Sequence, residues 1–370
     1  MSFFRSRRFL AWTAAVGVYL SVALSFFAEA CSVPVFRWAL ERWPADQYEL
    51  IIFHEKPLSP GDHARIHSLE QRIENTSANL QVRSMDVTQS IMEHYLPAWK
   101  KVQGGPLPMG LLLYPHTAHV VPPLWQGALN ELFPETLLDS PARREIKRRL
   151  LDGQSGVWLL LPSGNQAKDA AAAKLLAQQI DHANKTLHLP DMTGDNVLKE
   201  PETPDSSNLR VEFSVLTVDR ENPDEAILIR MLLGSEPDLS EYSEPMAFPV
   251  YGRGRVLYAL VGQGINPDTI LKANAFLVGR CACEIKVDNP GADLLMPVDW
   301  EKSIGDTAIC ALELPPLPGT AIINDGVSET ARKEDPAARS FARNAIITVL
   351  AAFFLVLAAT WVLTYRRRNK

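Results

Sequence analysis

The sequence predicts an α/β protein with two tandem βαβαββα units and a C-terminal transmembrane helix. Three observations carry that reading. Continuous apolar runs of strand length alternate with segments of helical period, the same order of runs comes round again after residue 153, and Ala345 to Thr364 is a stretch of 20 residues without a charge. Strands that are apolar throughout belong to sheets covered on both faces, so the pattern points to a mostly parallel core in each unit whose last two strands form a hairpin.

At the N-terminus, Arg5, Arg7 and Arg8 precede the uncharged run Phe9 to Phe27, and Ala28-Glu29-Ala30 offers small residues to a signal peptidase. That order predicts a secretory signal over residues 1–30. The run is long for a signal, so an uncleaved anchor is the alternative. Ser6-Arg7-Arg8-Phe9-Leu10 lacks the spacer of a twin-arginine signal. Residues 31–47 then predict an amphipathic helix reaching Trp43, with Pro34 in its first turn.

The first unit, 48–153, opens with a strand from Tyr48 to Phe53 and a helix near Pro60 to Glu74 that sets Ile66, Leu69 and Ile73 on one face. A strand from Leu80 to Val87 and a helix from Gln89 to Lys101 follow. After Pro106-Leu107-Pro108 come a strand from Met109 to Tyr114, a short fourth around His119 to Pro122, and a helix from Pro141 to Leu151. In the second unit, 154–312, the strand Val157 to Leu161 is followed by a helix from Lys168 to Asn184, a strand from Val211 to Val218 and a helix from Asp224 to Leu233. Met246 to Tyr251, the turn Gly252-Arg253-Gly254, Arg255 to Val261 and a helix from Pro267 to Val278 complete it.

Residues 313–343 change in kind. Pro315-Pro316-Leu317-Pro318-Gly319 leads into Ser, Thr, Asp, Glu and Lys with no apolar period, the composition of a flexible stalk. The segment 344–365 is long enough, at about 1.5 Å per residue, to span a hydrocarbon core of about 30 Å. Trp361 and Tyr365 suit an aromatic belt, and Arg366, Arg367, Arg368 and Lys370 in the tail 366–370 belong in the cytoplasm by the positive-inside rule. Everything between signal and helix is then expected outside the membrane.

The chain carries 37 Lys and Arg against 43 Asp and Glu. Seven of those basic groups lie in the two ends, so the part between them is more acidic still, which argues against nucleic acid or an anionic membrane surface as a partner. The local basic run Arg143-Arg144-Glu145-Ile146-Lys147-Arg148-Arg149 has helical spacing and reads as a solvated helix face.

Pro245-Met246-Ala247-Phe248-Pro249-Val250-Tyr251, followed by Gly252 to Tyr258 and a helix, resembles the ending of the thioredoxin-like fold, in which a proline, usually cis, precedes the terminal hairpin; Pro108-Met109-Gly110-Leu111-Leu112 is a poorer copy. The resemblance makes Pro245 and Pro108 candidate cis-prolines and covers about two thirds of the chain. The whole chain, with Cys31-Ser32-Val33-Pro34 through Trp43 after the signal and a late Cys-x-Cys, is also similar to uncharacterised bacterial exported single-pass membrane proteins, a likeness that implies no activity. A thioredoxin-like enzyme keeps Cys-x-x-Cys at the end of its first core strand, where a helix N-terminus stabilises the thiolate. Here those positions read His54-Glu55-Lys56-Pro57 and Ser163-Gly164-Asn165-Gln166. Neither holds a cysteine, so the usual oxidoreduction is excluded and a binding or scaffolding role is the better expectation.

Four cysteines remain, Cys31, Cys281, Cys283 and Cys310. Two apart on an expected strand, Cys281 and Cys283 point the same way and pair poorly with each other, so each is expected to bond one of Cys31 and Cys310. Lipidation of Cys31 and a reactive monothiol there are the sharper alternatives. No metal is assigned: His54, His63 and His67 suggest a cluster but read more simply as an exposed helix face, His116-Thr117-Ala118-His119 as a polar loop, and Cys281-Ala282-Cys283 with Cys310 as oxidised thiols rather than a copper or zinc site. The glycines at 252, 254, 262 and 264 bracket strands and form no dinucleotide loop, and lipase, Walker, zincin and calcium-loop motifs are absent from the sequence. The expectation is a single-pass membrane protein without a cofactor, acting as a non-enzymatic module toward a protein partner in the same bilayer. The rival is a thiol-dependent redox or metal-handling protein using Cys31 or the Cys281/Cys283 pair.

Overall fold

The computed structural model describes residues 33–89, 91–116, 123–132, 134–190, 209–281 and 285–305. They lie within one compact unit, Met1–Glu313; the second, Leu314–Lys370, holds no described residue. The expected signal, stalk and transmembrane segment therefore lie outside the described residues. Among those described, no helix is long and apolar enough to cross a membrane.

The fold is mixed α/β with two sheets. Helix α1 (Val35–Arg42) leads into the first, whose strands are β1 (Tyr48–His54), β2 (Leu80–Asp86), β3 (Met109–Leu113) and β4 (Trp125–Ala128), in the order β2-β1-β3-β4. Helix α2 (Pro60–Thr76) joins β1 to β2 and α3 (Leu96–Val102) joins β2 to β3, while α4 (Pro134–Leu138) and α5 (Pro141–Leu151) follow β4. The second sheet contains β5 (Gly156–Leu161), β6 (Phe213–Thr217), β7 (Met246–Tyr251), β8 (Arg255–Val256), β9 (Leu260–Val261) and β10 (Ala292–Asp293). Its order is β10-β8-β7-β5-β6, with β9 also against β7. Its helices are α6 (Gln166–Thr186), α7 (Ala226–Leu233), α8 (Pro267–Val278) and α9 (Trp300–Ile304).

Each sheet has one parallel pair, β1 with β2 and β5 with β6, and the third strand of each unit runs antiparallel to the first. The sheets are mixed rather than mostly parallel, because continuous apolar strands report burial on both faces and carry no information on direction. Other boundaries shift as well. The stretch expected as the fourth strand, around His119 to Pro122, lies outside the described residues, and a strand is found at Trp125–Ala128; the helix expected from Gln89 starts as a 3-10 turn at Glu93–Tyr95, and Arg255 to Val261 is broken into β8 and β9.

Side-chain alternation along the central strands explains the layers. Leu50 and Ile52 of β1 share one core with Val157, Leu159 and Leu161 of β5, filled between the sheets by α2, α5 and α7. Ile51 and Phe53 face the other way, onto Tyr95 and Val102, whereas Trp158 and Leu160 face α6, α8 and α1. The helices begin where the sequence marks them. Pro60, Pro141 and Pro267 occupy first-turn positions behind Ser59, Ser140 and Asn266, whose side chains accept the amides of Asp62, Arg143 and Thr269.

Two charged segments are more buried than their charge suggests. The helix expected before Trp43 forms as α1, with all but its last residue buried, including Arg37 and Glu41, which pair with each other. Gly252, at φ +56°, lets the β7–β8 turn abut it, since a Cβ there would lie 2.7 Å from the Ala39 methyl. The basic run is solvated at Arg144 and Arg148, but Arg143 is 1% exposed. Its guanidinium donates to the carbonyls of Leu137 (3.0 Å), Leu295 (3.3 Å) and Thr136 (2.9 Å) and to Ser140 Oγ (3.3 Å). Burial pushes it down to about 10, so it remains protonated at neutral pH.

Arg143→Met leaves several buried carbonyls without donors and is expected to cost roughly 3–5 kcal/mol of unfolding free energy. Urea unfolding of the full chain measures it. Arg148→Met, on the solvated face, should leave the unfolding midpoint essentially unchanged.

Candidate functional site

The turns that follow β1 and β5 are where the fold resemblance would set a redox pair. After β5, Ser163-Gly164-Asn165-Gln166 turns into α6 with Gly164 at φ +90°. Asp169, one turn into the helix, accepts Ser163 N at 2.7 Å, Ser163 Oγ at 2.8 Å and Gly164 N at 3.0 Å. Asn165 Oδ1 caps the helix by accepting Lys168 N at 3.2 Å. Partial burial pushes the Asp169 carboxyl up, but the three donated hydrogen bonds outweigh it and hold the group below its ordinary value. The turn amides that would stabilise a thiolate are thus engaged by the turn's own side chains. After β1, His54 Nδ1 lies 3.0 Å from Lys56 O, and Ser59 and Asp62 close a capping box at the start of α2.

Beside the first turns of α6, an open groove of about 840 Å³ runs between the helix and the loops flanking β7 and β9. Ala171, Ala172, Leu175, Leu239, Val261 and Ile265 give it an apolar lining, and Pro245 stands at its edge. Glu236, Asp238 and Glu244 line it against one cation, Lys168, whose Nζ is 2.5 Å from Glu244 Oε1. Tyr242 is 46% exposed and donates its hydroxyl to Asp238 Oδ2 at 3.3 Å; the neighbouring carboxylate raises its phenol. Glu236 Oε1 accepts Ala259 N at 2.7 Å and Pro245 O accepts Gly262 N at 2.9 Å, so the walls are tied to one another. No cysteine, serine or histidine lines the groove among the described residues. It presents an apolar floor, an acidic rim and one exposed aromatic ring.

The remaining sequence candidates are spread over the molecule. Leu107–Pro108 is the one cis peptide among the described residues, so the bond before Pro245 is trans, although Pro245 is the closer match to the fold's ending. Cys281 is 1% exposed and follows an isolated bridge, Pro34 with Arg280, rather than lying on a strand; its amide donates to Val33 O at 3.0 Å. Cys31, Cys283, Cys310 and His119 lie outside the described residues. His54, His63 and His67 do not converge. Among the described residues, the potential metal ligands that come together in a group of three are His94, His116 and Glu49. They come from three separate segments, with the register of β1 and β3 aligning Glu49 and His116 and the Glu93–Tyr95 turn adding His94, so no spacing rule announces them.

These features define a mixed α/β protein with two sheets and an acidic-rimmed groove. No protein-family model matches the chain, and no curated protein matches it.

Asp169→Ala removes the acceptor that closes the Ser163 turn and is expected to cost roughly 1–2 kcal/mol at neutral pH. Because the folded carboxyl is depressed, its contribution is full above the ordinary value of 3.8 and is lost as pH falls through the lower folded value. Unfolding midpoints of wild type and variant should therefore differ at pH 7 and converge in acid; a gap that persists in acid would contradict this assignment.

Proposed function

We propose that this chain is a membrane-anchored, extracytoplasmic binding or assembly module without catalytic activity, an accessory subunit of a complex in the same bilayer. The reading takes the two units as tandem thioredoxin-like folds that have lost their redox pair. Its support is that each sheet repeats one arrangement, first and second strands parallel, third antiparallel between first and fourth. The observation that carries the functional part is the pairing of a turn closed by Asp169 with an open groove beside it. A segment presenting apolar and cationic side chains suits the groove's Leu175, Leu239 and Val261 and its carboxylate rim.

The N-terminal staple remains part of the proposal. Cys281 lies beside Val33, two residues after Cys31, which supports holding the N-terminal segment to the second unit by a bond from Cys31 to Cys281 or Cys283.

A photo-reactive residue at position 242 in native membranes should give a discrete adduct with one protein. The adduct should be lost when Asp238 and Glu244 are both changed to Lys and absent when the probe replaces Leu271, an exposed residue of α8 outside the groove. Equal labelling from both positions, or recovery of the chain only as a lone monomer, would overturn the proposal.

A further inference from the structure

On the outer face of the first sheet, away from the groove, three segments bring metal-ligating atoms together. Glu49 belongs to β1, the central strand, on the face that carries Ile51 and Phe53. His94 sits in the 3-10 turn Glu93–Tyr95 whose Tyr95 covers that face. His116 follows β3, and the antiparallel register that sets Leu113 opposite Glu49 carries the chain past Glu49 to this histidine. One ligand atom from each of Glu49, His94 and His116 lies within 4.8 Å of the others.

The Glu49 carboxylate is oriented as a metal ligand is. Its Oε1 accepts Tyr95 Oη at 3.0 Å and Arg83 Nε at 3.2 Å, while Oε2 is turned to His116 Nε2 at 3.4 Å. Hydrogen bonds that fix the non-ligating oxygen are the usual support for a coordinating carboxylate. With zinc–ligand bonds of about 2.0–2.2 Å, neighbouring atoms of a tetrahedral site stand roughly 3.4 Å apart, which the Glu49–His116 pair already meets. Both histidines are exposed; the His94 ring lies against Tyr95, centroids 3.7 Å apart, and stands 5.7 Å from the His116 ring at a 68° angle, so a turn of the exposed His116 ring supplies most of the remaining approach.

We infer that Glu49, His94 and His116 bind one late first-row divalent cation, with zinc the best fit, in a three-ligand site whose fourth position is open. Two imidazoles and one carboxylate are the donors zinc accepts, whereas magnesium and calcium require oxygen. An open fourth position takes water or a side chain of another protein. Arg83 opposes the cation's charge, but its side chain is 46% exposed and its Nη2 is shared with Gln81 Oε1, so it is screened by solvent and can swing aside. The bland alternative is a solvent-exposed Glu49–His116 ion pair with His94 a bystander; a bystander cannot affect metal affinity.

The full chain in detergent, stripped with chelator, is titrated with zinc against a chromogenic competitor. One tight equivalent is expected. His94→Ala and His116→Ala should each weaken it by roughly tenfold or more, Glu49→Gln should do the same, and the pair His63→Ala with His67→Ala on α2 should leave it unchanged. Cobalt in place of zinc should give the visible absorption of a tetrahedral site in wild type and not in His94→Ala. Because His94 and His116 are exposed, their variants keep the test independent of folding. The inference is overturned by failure to bind one saturable equivalent, by binding that survives both single-histidine variants, as binding through cysteines would, or by loss on changing His63 and His67.

Discussion

Everything in the described unit depends on satisfying the peptide groups of a short segment buried between the two sheets. Leu294, Leu295, Met296 and Val298 are each no more than 1% exposed, so water cannot serve their amides and carbonyls. Both halves of the molecule supply the partners. Asn79, preceding β2, donates to Leu294 O at 3.1 Å and accepts Met296 N at 2.8 Å, Arg143 of α5 donates to Leu295 O, and Gly254 O of the second sheet's turn accepts Leu294 N at 2.9 Å. An unpaired buried peptide group costs about 1–3 kcal/mol, so the loss of any one partner is felt on both sides.

The segment enters this position through Asp293, which gathers two cations and a second carboxylate into one knot. Arg255 Nη1 lies 2.8 Å from its carboxylate, Lys286 pairs with both Asp293 and Asp46, Asp46 N donates to Asp293 Oδ2 at 2.7 Å, and Tyr48 Oη donates to its carbonyl at 2.7 Å. Two cations face two carboxylates, which keeps a largely buried cluster neutral. Burial drives the Tyr48 phenol far up, so it stays a donor at any physiological pH. The knot joins the chain entering β1 to the edge of the second sheet, and it complements the apolar core that the two sheets share.

The regular elements were legible because their signals are local. Tyr48 to Phe53 and Val157 to Leu161 are apolar throughout, and the Ser-Pro and Asn-Pro pairs ahead of α2, α5 and α8 mark helix starts without reference to the rest of the chain. What was missed depends on distant partners. Strand direction is set by how α3 returns the chain, Arg143 is indistinguishable in sequence from its solvated neighbours Arg144 and Arg148, and the apolar run Leu294-Leu295-Met296 gives no hint that it lies between sheets. At the sites, the lack of cysteine after β1 and β5 could be read directly, whereas the peptide before Pro245 is trans and the cis bond lies before Pro108. The Asp169 closure and the Glu49, His94 and His116 convergence arise from folding alone.

The burial of α1 bears on how the chain reaches its fold. Val35 N donates to Gly279 O, Arg253 donates to the carbonyls of Leu40 and Glu41, and Asp46 binds a residue 247 positions later. The earliest described segment to be synthesised is therefore among the last to find its place. Until residues near 280 and 293 have been made, this helix, with Trp38 inside it and Trp43 just after it, lacks part of the surface that covers it. The order of synthesis and the order of assembly run against each other, and contacts of such span are the slow ones to form.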